Sequence, residues 1–302
     1  YLKGMSIGAF TGTASFSGQG TDILSSKTWA KAEAEIRHFD FSRYNLNGIK
    51  ASVLLKEGRA KADIDAHNKL IDGKINLDAL LNPKKLDATL MTELAYIDLY
   101  NLYLVDKPLK VSVCTHLDAM SDFRDNHLLQ GTIGDIALTD SAKTYRPDDI
   151  TMDLRTDRDT TIAKIYCGDF ILRLNAQGGY RHLSGITDRL TEVMKQQFVQ
   201  RTIDQTQMRD ALPRMSMTLH SSKDNPIYRF IRYYDVDYDE VDAVVNTSRE
   251  EGITADVLLK GLSTQGYQLD TVSVKVDSSN DPYSITYKGY VRNVPPNDYV
   301  FN

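Results

Sequence analysis

The residues of this chain best suited to chemistry are its clustered acids, its histidines, its two cysteines and its tyrosines. Asp235, Asp237, Asp239 and Glu240 alternate with Val236 and Tyr238, and a row of carboxylates can gather a hard cation such as calcium. Their spacing departs from the roughly twelve-residue calcium loop, and the same alternation is what the wet face of a strand looks like. The six histidines (His38, His67, His116, His127, His182, His220) are dispersed, with no two at the i, i+4 spacing of a helical zinc site, and are read as surface residues. Cys114 and Cys167 are too few for a disulfide scaffold or a thiolate zinc site. They can pair if the fold makes them adjacent; otherwise they serve as small buried hydrophobes.

Catalytic signatures are missing. There is no G-x-S-x-G elbow, no glycine-rich phosphate loop and no cysteine set against an evident base, so the chain reads as a non-enzyme without a cofactor. Two tyrosine-rich clusters, Tyr96, Tyr100 and Tyr103, then Tyr228, Phe230, Tyr233 and Tyr234, offer rings that could stack on sugars or pack at a rim. Asn246-Thr247-Ser248 matches a glycosylation acceptor, a pattern short enough to arise by chance.

Composition narrows the partners. At 302 residues and 34.0 kDa the chain can form one or two domains with a sizeable core. Its formal net charge of -5 and pI near 5.7 lack the basic excess that neutralises phosphates, so nucleic acid is not an expected partner. No apolar stretch approaches the roughly 18 to 20 residues that cross a bilayer. The chain starts at Tyr1 without an initiator Met or a signal peptide, and Tyr299 to Asn302 reads as an interrupted strand. It is therefore read as a piece of a longer protein, in which missing targeting signals say nothing about location.

Most of the chain alternates with a period of two. From Trp29 to Phe41, Ala30, Ala32, Ala34 and Ile36 point one way while Lys31, Glu33, Glu35 and Arg37 point the other. The phase changes between Ile36 and Phe39. Ile49, Ala51, Val53 and Leu55 form the next apolar row, Lys56-Glu57-Gly58 turns the chain, and Ala60, Ala62, Ile64 and Ala66 return it. Further rows follow about every dozen residues through Ala176 and again from Val241 to Val291. This implies a meander of short connections and an all-β architecture.

A helical period interrupts the strands. Leu183, Ile186, Leu190, Val193, Met194, Phe198 and Val199 recur at three and four residues, predicting an amphipathic helix to about Ile203 capped by Ser184 or Thr187. A shorter helix is expected from Gln205 to Leu212, and a third from Pro226 to Tyr233. The expected organisation is a first β lobe over 1–180, a helical insert over 181–213, and a second lobe over 214–302 continuing the same sheet.

A one-sided apolar sheet must bury that side against a sheet, a helix, itself or a ligand. One helix of about 20 residues is roughly 30 Å long, enough for only a few strands. A sandwich core is filled mostly by large side chains, whereas this chain repeatedly places Ala and Gly inward: Ala30, Ala32, Ala34, Ala51, Ala60, Ala62, Ala66, Gly73 and Ala88. Small inward residues leave room for acyl chains. Equally, they make room for bulky residues of a facing layer, and the pattern leaves both readings open.

Gly179-Tyr180 before the helix, Met208 to Leu219 with Leu212-Pro213, Asn225-Pro226 with Phe230 and Arg232-Tyr233, and Tyr287-Lys288-Gly289-Tyr290-Val291-Arg292-Asn293 resemble segments of the TamB family of AsmA-like bacterial envelope proteins. The likeness is to members from the Bacteroidetes and covers most of the chain. It implies a long, twisted antiparallel sheet curved into an open taco-like groove with an apolar interior, in a periplasmic protein anchored to the inner membrane. It further implies transport of phospholipid toward the outer membrane, support for outer-membrane protein assembly, and an Omp85-family barrel partner met through another part of the protein. The helical insert at about 183–212 departs from the simplest family picture.

On this reading Ala30, Ala32, Ala34, Ile36, Ala60, Ala62, Ile64, Val111, Val113, Ile253, Ala255, Val257 and Leu259 line the lipid groove. The competing expectation is a closed β-sandwich serving as a cell-surface adhesion or glycan-binding module.

Overall fold

A computed structural model describes residues 7–41, 44–141, 143–200, 205–233, 235–264, 267–278 and 284–293. The strand expected at Tyr299 to Asn302, the helix tail at Ile203, and Tyr234 and Tyr283 lie outside them. The chain is mainly β and folds as two compact units, Tyr1–Asp149 and Ile150–Asn302. The expected lobe limits at 180 and 213 bracket a helical segment within the second unit.

The first unit is a succession of strands: β1 (Ile7–Gln19), β2 (Trp29–Phe41), β3 (Tyr44–Asn45), β4 (Ile49–Lys56), β5 (Arg59–His67), β6 (Ile71–Asn82), β7 (Lys85–Asp98), β8 (Lys110–Ser121), β9 (His127–Thr139) and β10 (Thr144–Tyr145). Apart from β3 and β4, sequence neighbours pair antiparallel, and β2 pairs with β4 past the short β3. Short turns suffice for such pairs. Between β4 and β5, Glu57 (φ 53) and Gly58 (φ 75) form the two-residue left-handed turn whose twist matches flanking strands. β1 pairs with β2 alone among the described strands, which leaves the sheet open at that edge.

The phase change expected after Ile36 is a β-bulge. Gly12 pairs with Ile36 and Thr11 with His38, which leaves Arg37 unpaired. Three further irregularities fall beside the same transverse row, at Asp72/Gly73, Leu94/Ile97 and Ser112/Cys114. That row runs Gly12, Ile36, Ile49, Ala66, Gly73, Leu94, Val113. β4 begins on it, and β5 ends one residue past it. Bulges bend and twist a strand, so their alignment bends neighbouring strands at one level and creases the sheet across its strands. Gly73 has φ 147, and a Cβ there would strike the Glu93 carbonyl oxygen, so the crease requires glycine at that point.

The second unit contains β11 (Ile150–Thr156), β12 (Thr160–Cys167), β13 (Phe170–Gln177), α1 (Tyr180–Gln200), α2 (Gln205–Asp210), β14 (Met215–Ser221), α3 (Pro226–Tyr233), β15 (Val236–Asp237), β16 (Glu240–Ser248), β17 (Gly252–Thr264), β18 (Tyr267–Asp277) and β19 (Thr286–Arg292). The ladder runs antiparallel from β11 through β14 to β16, β17, β18 and β19. Because β13 and β14 are hydrogen-bonded neighbours, α1 and α2 are an elaborated hairpin connection, and the ladder passes beneath them unbroken.

The long helix starts three residues before the expected Leu183, so Ser184 and Thr187 lie inside it and do not cap it. Its start is set by the adjoining strand end. The Tyr180 N–H donates to Thr156 Oγ1 at 3.0 Å, and the Leu183 N–H to the Gly179 carbonyl at 3.0 Å. From α2, Arg209 donates to the Glu250 carbonyl at 2.8 Å and to the Ser278 carbonyl, in the turn after β16 and just past β18. These contacts place the helical segment at one end of the strands, as a rim.

The opposite end is held by α3. Asn225 is fully buried; its Oδ1 accepts the Tyr228 N–H at 2.7 Å, capping α3, while its Nδ2 donates to Asp169 Oδ1 at 2.7 Å and the Ser222 carbonyl at 2.8 Å. Burial works to raise the Asp169 carboxyl, but hydrogen bonds from Ser222, Asn225 and the Asp224 N–H outweigh it and hold the group below the ordinary range. Tyr228 and Tyr238 meet edge to face at 5.2 Å, and their hydroxyls bond Asp237 (2.6 Å) and Ser221 (2.8 Å). The second tyrosine cluster therefore spends its buried ring, Tyr228, on packing.

Candidate functional site

Residues opposite each other in an antiparallel ladder share a face. In the first unit one transverse row reads Gly18, Ala30, Leu55, Ala60, Ala79, Ala88, Ala119, Leu129. The next reads Phe16, Ala32, Val53, Ala62, Leu77, Leu90, Leu117, Gly131. The third reads Ala14, Ala34, Ala51, Ile64, Ile75, Thr92, Thr115, Ile133. Ile36 and Val113 lie on the crease row, and Val111 continues the same face of β8 beyond it. All nine first-unit residues expected to line the groove thus stand on one face, apolar except at Thr92 and Thr115 in these rows.

The second unit repeats the arrangement with larger side chains. One row reads Met152, Ile165, Leu172, Leu219, Ala243, Val257, Val274, Gly289, and the next Leu154, Ala163, Leu174, Met217, Val245, Ala255, Val276, Tyr287. Ile253 and Leu259 extend that face along β17. The small-residue signature is therefore a property of the first wall; the second is built mainly from Leu, Ile, Val and Met.

The walls stay partly in water. Phe16 is 78% exposed, Val53 43%, Ile64 37% and Leu77 36% in the first unit, and Val274 38% and Tyr287 74% in the second. Within each unit the strands form a single open sheet, so the closed sandwich of the competing expectation is not made inside either one. An apolar face left in this state forgoes roughly 25 cal/mol for every Å² that a covering partner would bury.

The reverse face is charged and internally paired. Arg59 grips Asp78 with two bonds of 2.6 Å, and that hydrogen bonding holds the Asp78 carboxyl below its ordinary range. Asn76 donates to Asp63 at 2.6 Å, and Thr89 to Asp118 at 2.7 Å. A shallow trough of about 700 Å³ crosses β1 to β6, walled by Thr13, Ser15, Glu33, Glu35, Lys50, Ser52, Asp63, Asp65, Lys74 and Asn76 and floored by Ala14, Ala34, Ala51 and Ile64. Its lining lacks Ala32, Val53 and Ala62, the side chains that flank this floor on the apolar face. The trough thus opens on the charged side, over the strand positions that carry the third row of the wall.

The remaining candidates have local roles. Asp237 accepts from Tyr228, and Asp239 and Glu240 are paired with Lys223 (2.5 Å) and Lys260 (2.6 Å), as expected of a strand's wet face. Among the described residues no group of three or more His, Cys, Asp or Glu is arranged to hold a metal. His220 bonds Asp242 at 2.5 Å, and His67 bridges Asp65 (2.7 Å) and Asp72 (2.6 Å). Neither cysteine forms a disulfide: Cys167 is buried on β12, and Cys114 is half-buried on β8.

Sequence reasoning missed β1 and β14. β1 alternates Gly12, Ala14, Phe16 and Gly18 with Thr13, Ser15 and Ser17, and with no charge on its polar side that period is faint. β14 follows directly on the helical segment, whose stronger period masked it. Comparison with protein-family models, curated proteins and solved structures finds no match for this chain.

Proposed function

We propose that the apolar walls shelter lipid acyl chains, making this chain a non-enzymatic, lipid-carrying segment of a periplasm-spanning envelope protein. The observation that carries the reading is the largely apolar face, eight strands wide in the first unit and broken in its three rows by Thr92 and Thr115, with small side chains in register and no covering layer within the unit. A bare surface of this kind marks an interaction site. The aligned bulges supply a physical means of bending its strands toward a trough. The likeness to TamB-type segments adds the rest of the proposal: phospholipid as cargo, an inner-membrane anchor elsewhere in the protein, a link to outer-membrane protein assembly, and an Omp85-family barrel as partner of another part. Among the described residues no helix is long and apolar enough to cross a membrane.

Photocrosslinkers at Ala32, Ala62 and Ala255 test the reading against crosslinkers at Glu33, Lys61 and Asp256, whose side chains stand on the opposite face. Phospholipid should be captured from the first set and not from the second. Equal capture from both sets would defeat the proposal, since Glu33 also lines the charged trough. Native mass spectrometry of the purified chain should show co-purifying lipid.

A further inference from the structure

The open edge of the first unit is β1, with which only β2 pairs among the described strands. A free edge presents a row of unpaired backbone N–H and C=O groups, and proteins usually blunt it with charge, proline or short length. β1 has none of these guards. It is thirteen residues long, holds no Asp, Glu, Lys, Arg, His or Pro, and from Gly8 to Gln19 is exposed everywhere except at the half-buried Gly12. By contrast β19, which pairs with β18, is seven residues long and carries Lys288 and Arg292.

The side chains of β1 say what the edge accepts. Its wall side presents Phe10, Gly12, Ala14, Phe16 and Gly18, and its other side Thr11, Thr13, Ser15 and Ser17. This order complements itself about Ala14. When two copies of β1 run antiparallel with Ala14 facing Ala14, Phe16 stands opposite Gly12, Phe10 opposite Gly18, Thr13 opposite Ser15 and Thr11 opposite Ser17. Each ring then covers a glycine, the polar side becomes a ladder of hydroxyl pairs, and no two like charges meet. Centring the pairing on Thr13 sets Gly8 opposite Gly18, and centring it on Ser15 sets Gly12 opposite Gly18, so either shift leaves glycines bare. β1 cannot fill those places itself. A Cβ would come within 2.6 Å of the Glu35 carbonyl oxygen at Gly12, and within 2.9 Å of the Trp29 carbonyl oxygen at Gly18. Phe10 packs edge to face on Phe39 at 5.9 Å, whereas Phe16 is 78% exposed and holds unspent apolar area at the edge.

We propose that a second copy of this chain occupies the edge, its β1 pairing antiparallel with this one about a two-fold axis at Ala14. Such an interface uses the same patch on both copies and closes on itself, so it gives a dimer and no filament. The pairing satisfies the edge backbone of both copies. It also sets two first-unit walls, each eight strands wide, side by side on the same face of one continued sheet. The dimer is argued from β1 alone and does not depend on what the walls hold.

The test uses the full chain in sedimentation equilibrium over a concentration series. The unaltered chain should form a concentration-dependent dimer and nothing larger. Thr13→Lys combined with Ser15→Lys sets lysine opposite lysine across the axis, while within each copy the same positions face Glu35 and Glu33 on β2, so the fold is kept and circular dichroism should not change. This double variant should weaken dimerisation by about tenfold, the cost of two directly opposed pairs of like charge. Phe16→Ser, which removes a ring already in water, should weaken it by about tenfold or more. Under mild oxidation Ala14→Cys should link two copies through the substituted position, because only a residue on the axis meets its own counterpart, and Ser17→Cys should not. A monomer at every concentration overturns the proposal, and so does a dimer that the double-lysine and Phe16→Ser variants leave unchanged. Linkage through Thr13→Cys in place of Ala14→Cys overturns the register and the covering of glycines by rings.

Discussion

Replacing Ile64 by glutamate separates an open lipid-binding wall from a buried core. Ile64 sits in the third transverse row between Ala51 and Ile75 and is 37% exposed. Full burial of such a side chain is worth about 1.5–3 kcal/mol, so at its actual exposure the loss should be about 1–2 kcal/mol. The new carboxylate keeps access to water, and Asp63 and Asp65 stand on the other face, so little repulsion is added. Urea denaturation of Ile64→Glu should show a lower midpoint with an unchanged slope, while phospholipid capture at Ala62 should fall sharply, because acyl chains would have to desolvate a charge. A loss above about 4 kcal/mol, the size reserved for an unpaired charge in a packed core, would show that the wall is covered in the native protein. Unchanged capture would show that lipid does not lie on this face.

Val257→Asp on the second wall should behave in the same way, folding with a modest loss while lipid co-purification falls in native mass spectra. Asn225→Ala removes the α3 cap and three donor contacts of a buried amide, one of them to a carboxylate; it should cost about 2–4 kcal/mol in urea melts, against little change for the exposed Lys275→Gln. Arg209→Met should free the helical segment while the sheet persists, seen as faster proteolysis between 180 and 212 with unchanged β signal in circular dichroism. The hydrogen bond to Asp242 raises His220 above its ordinary value, and the same bond lowers Asp242. Stability from His220 is therefore fully present below about pH 6.5 and is lost as pH rises through its raised folded value; stability from Asp242 is present above about pH 4 and lost as pH falls. NMR titration should place His220 above 6.5, and His220→Gln should flatten the stability profile on the alkaline side of that window.

How much could be read in advance varied with the range of the interaction. The alternation of Ala30 to Ile36 and Ala60 to Ala66 marked faces correctly because side-chain direction in a strand is a local property of the backbone. The phase slip between Ile36 and Phe39 was visible for the same reason, and the bulge at Arg37 accounts for it. α3 runs over the expected Pro226–Tyr233, since proline in a first turn is also a local signal. α1 began earlier than expected because Thr156, far away in sequence, supplies its first acceptor. The Asp169–Asn225 network was invisible for the same reason: its members come from turns dozens of residues apart.

The order of residues by itself determined the strands, their two-sided character, and the small side chains of the first wall, because these depend on spacing of two residues and on local turn chemistry. Tertiary structure decided that those rows align across eight strands, that four bulges share one level, and that the helices rest on the strand ends while the ladder continues beneath them. Each of these is a matter of register between strands. Register is fixed by pairing partners and turn lengths acting together, and no single segment carries that information.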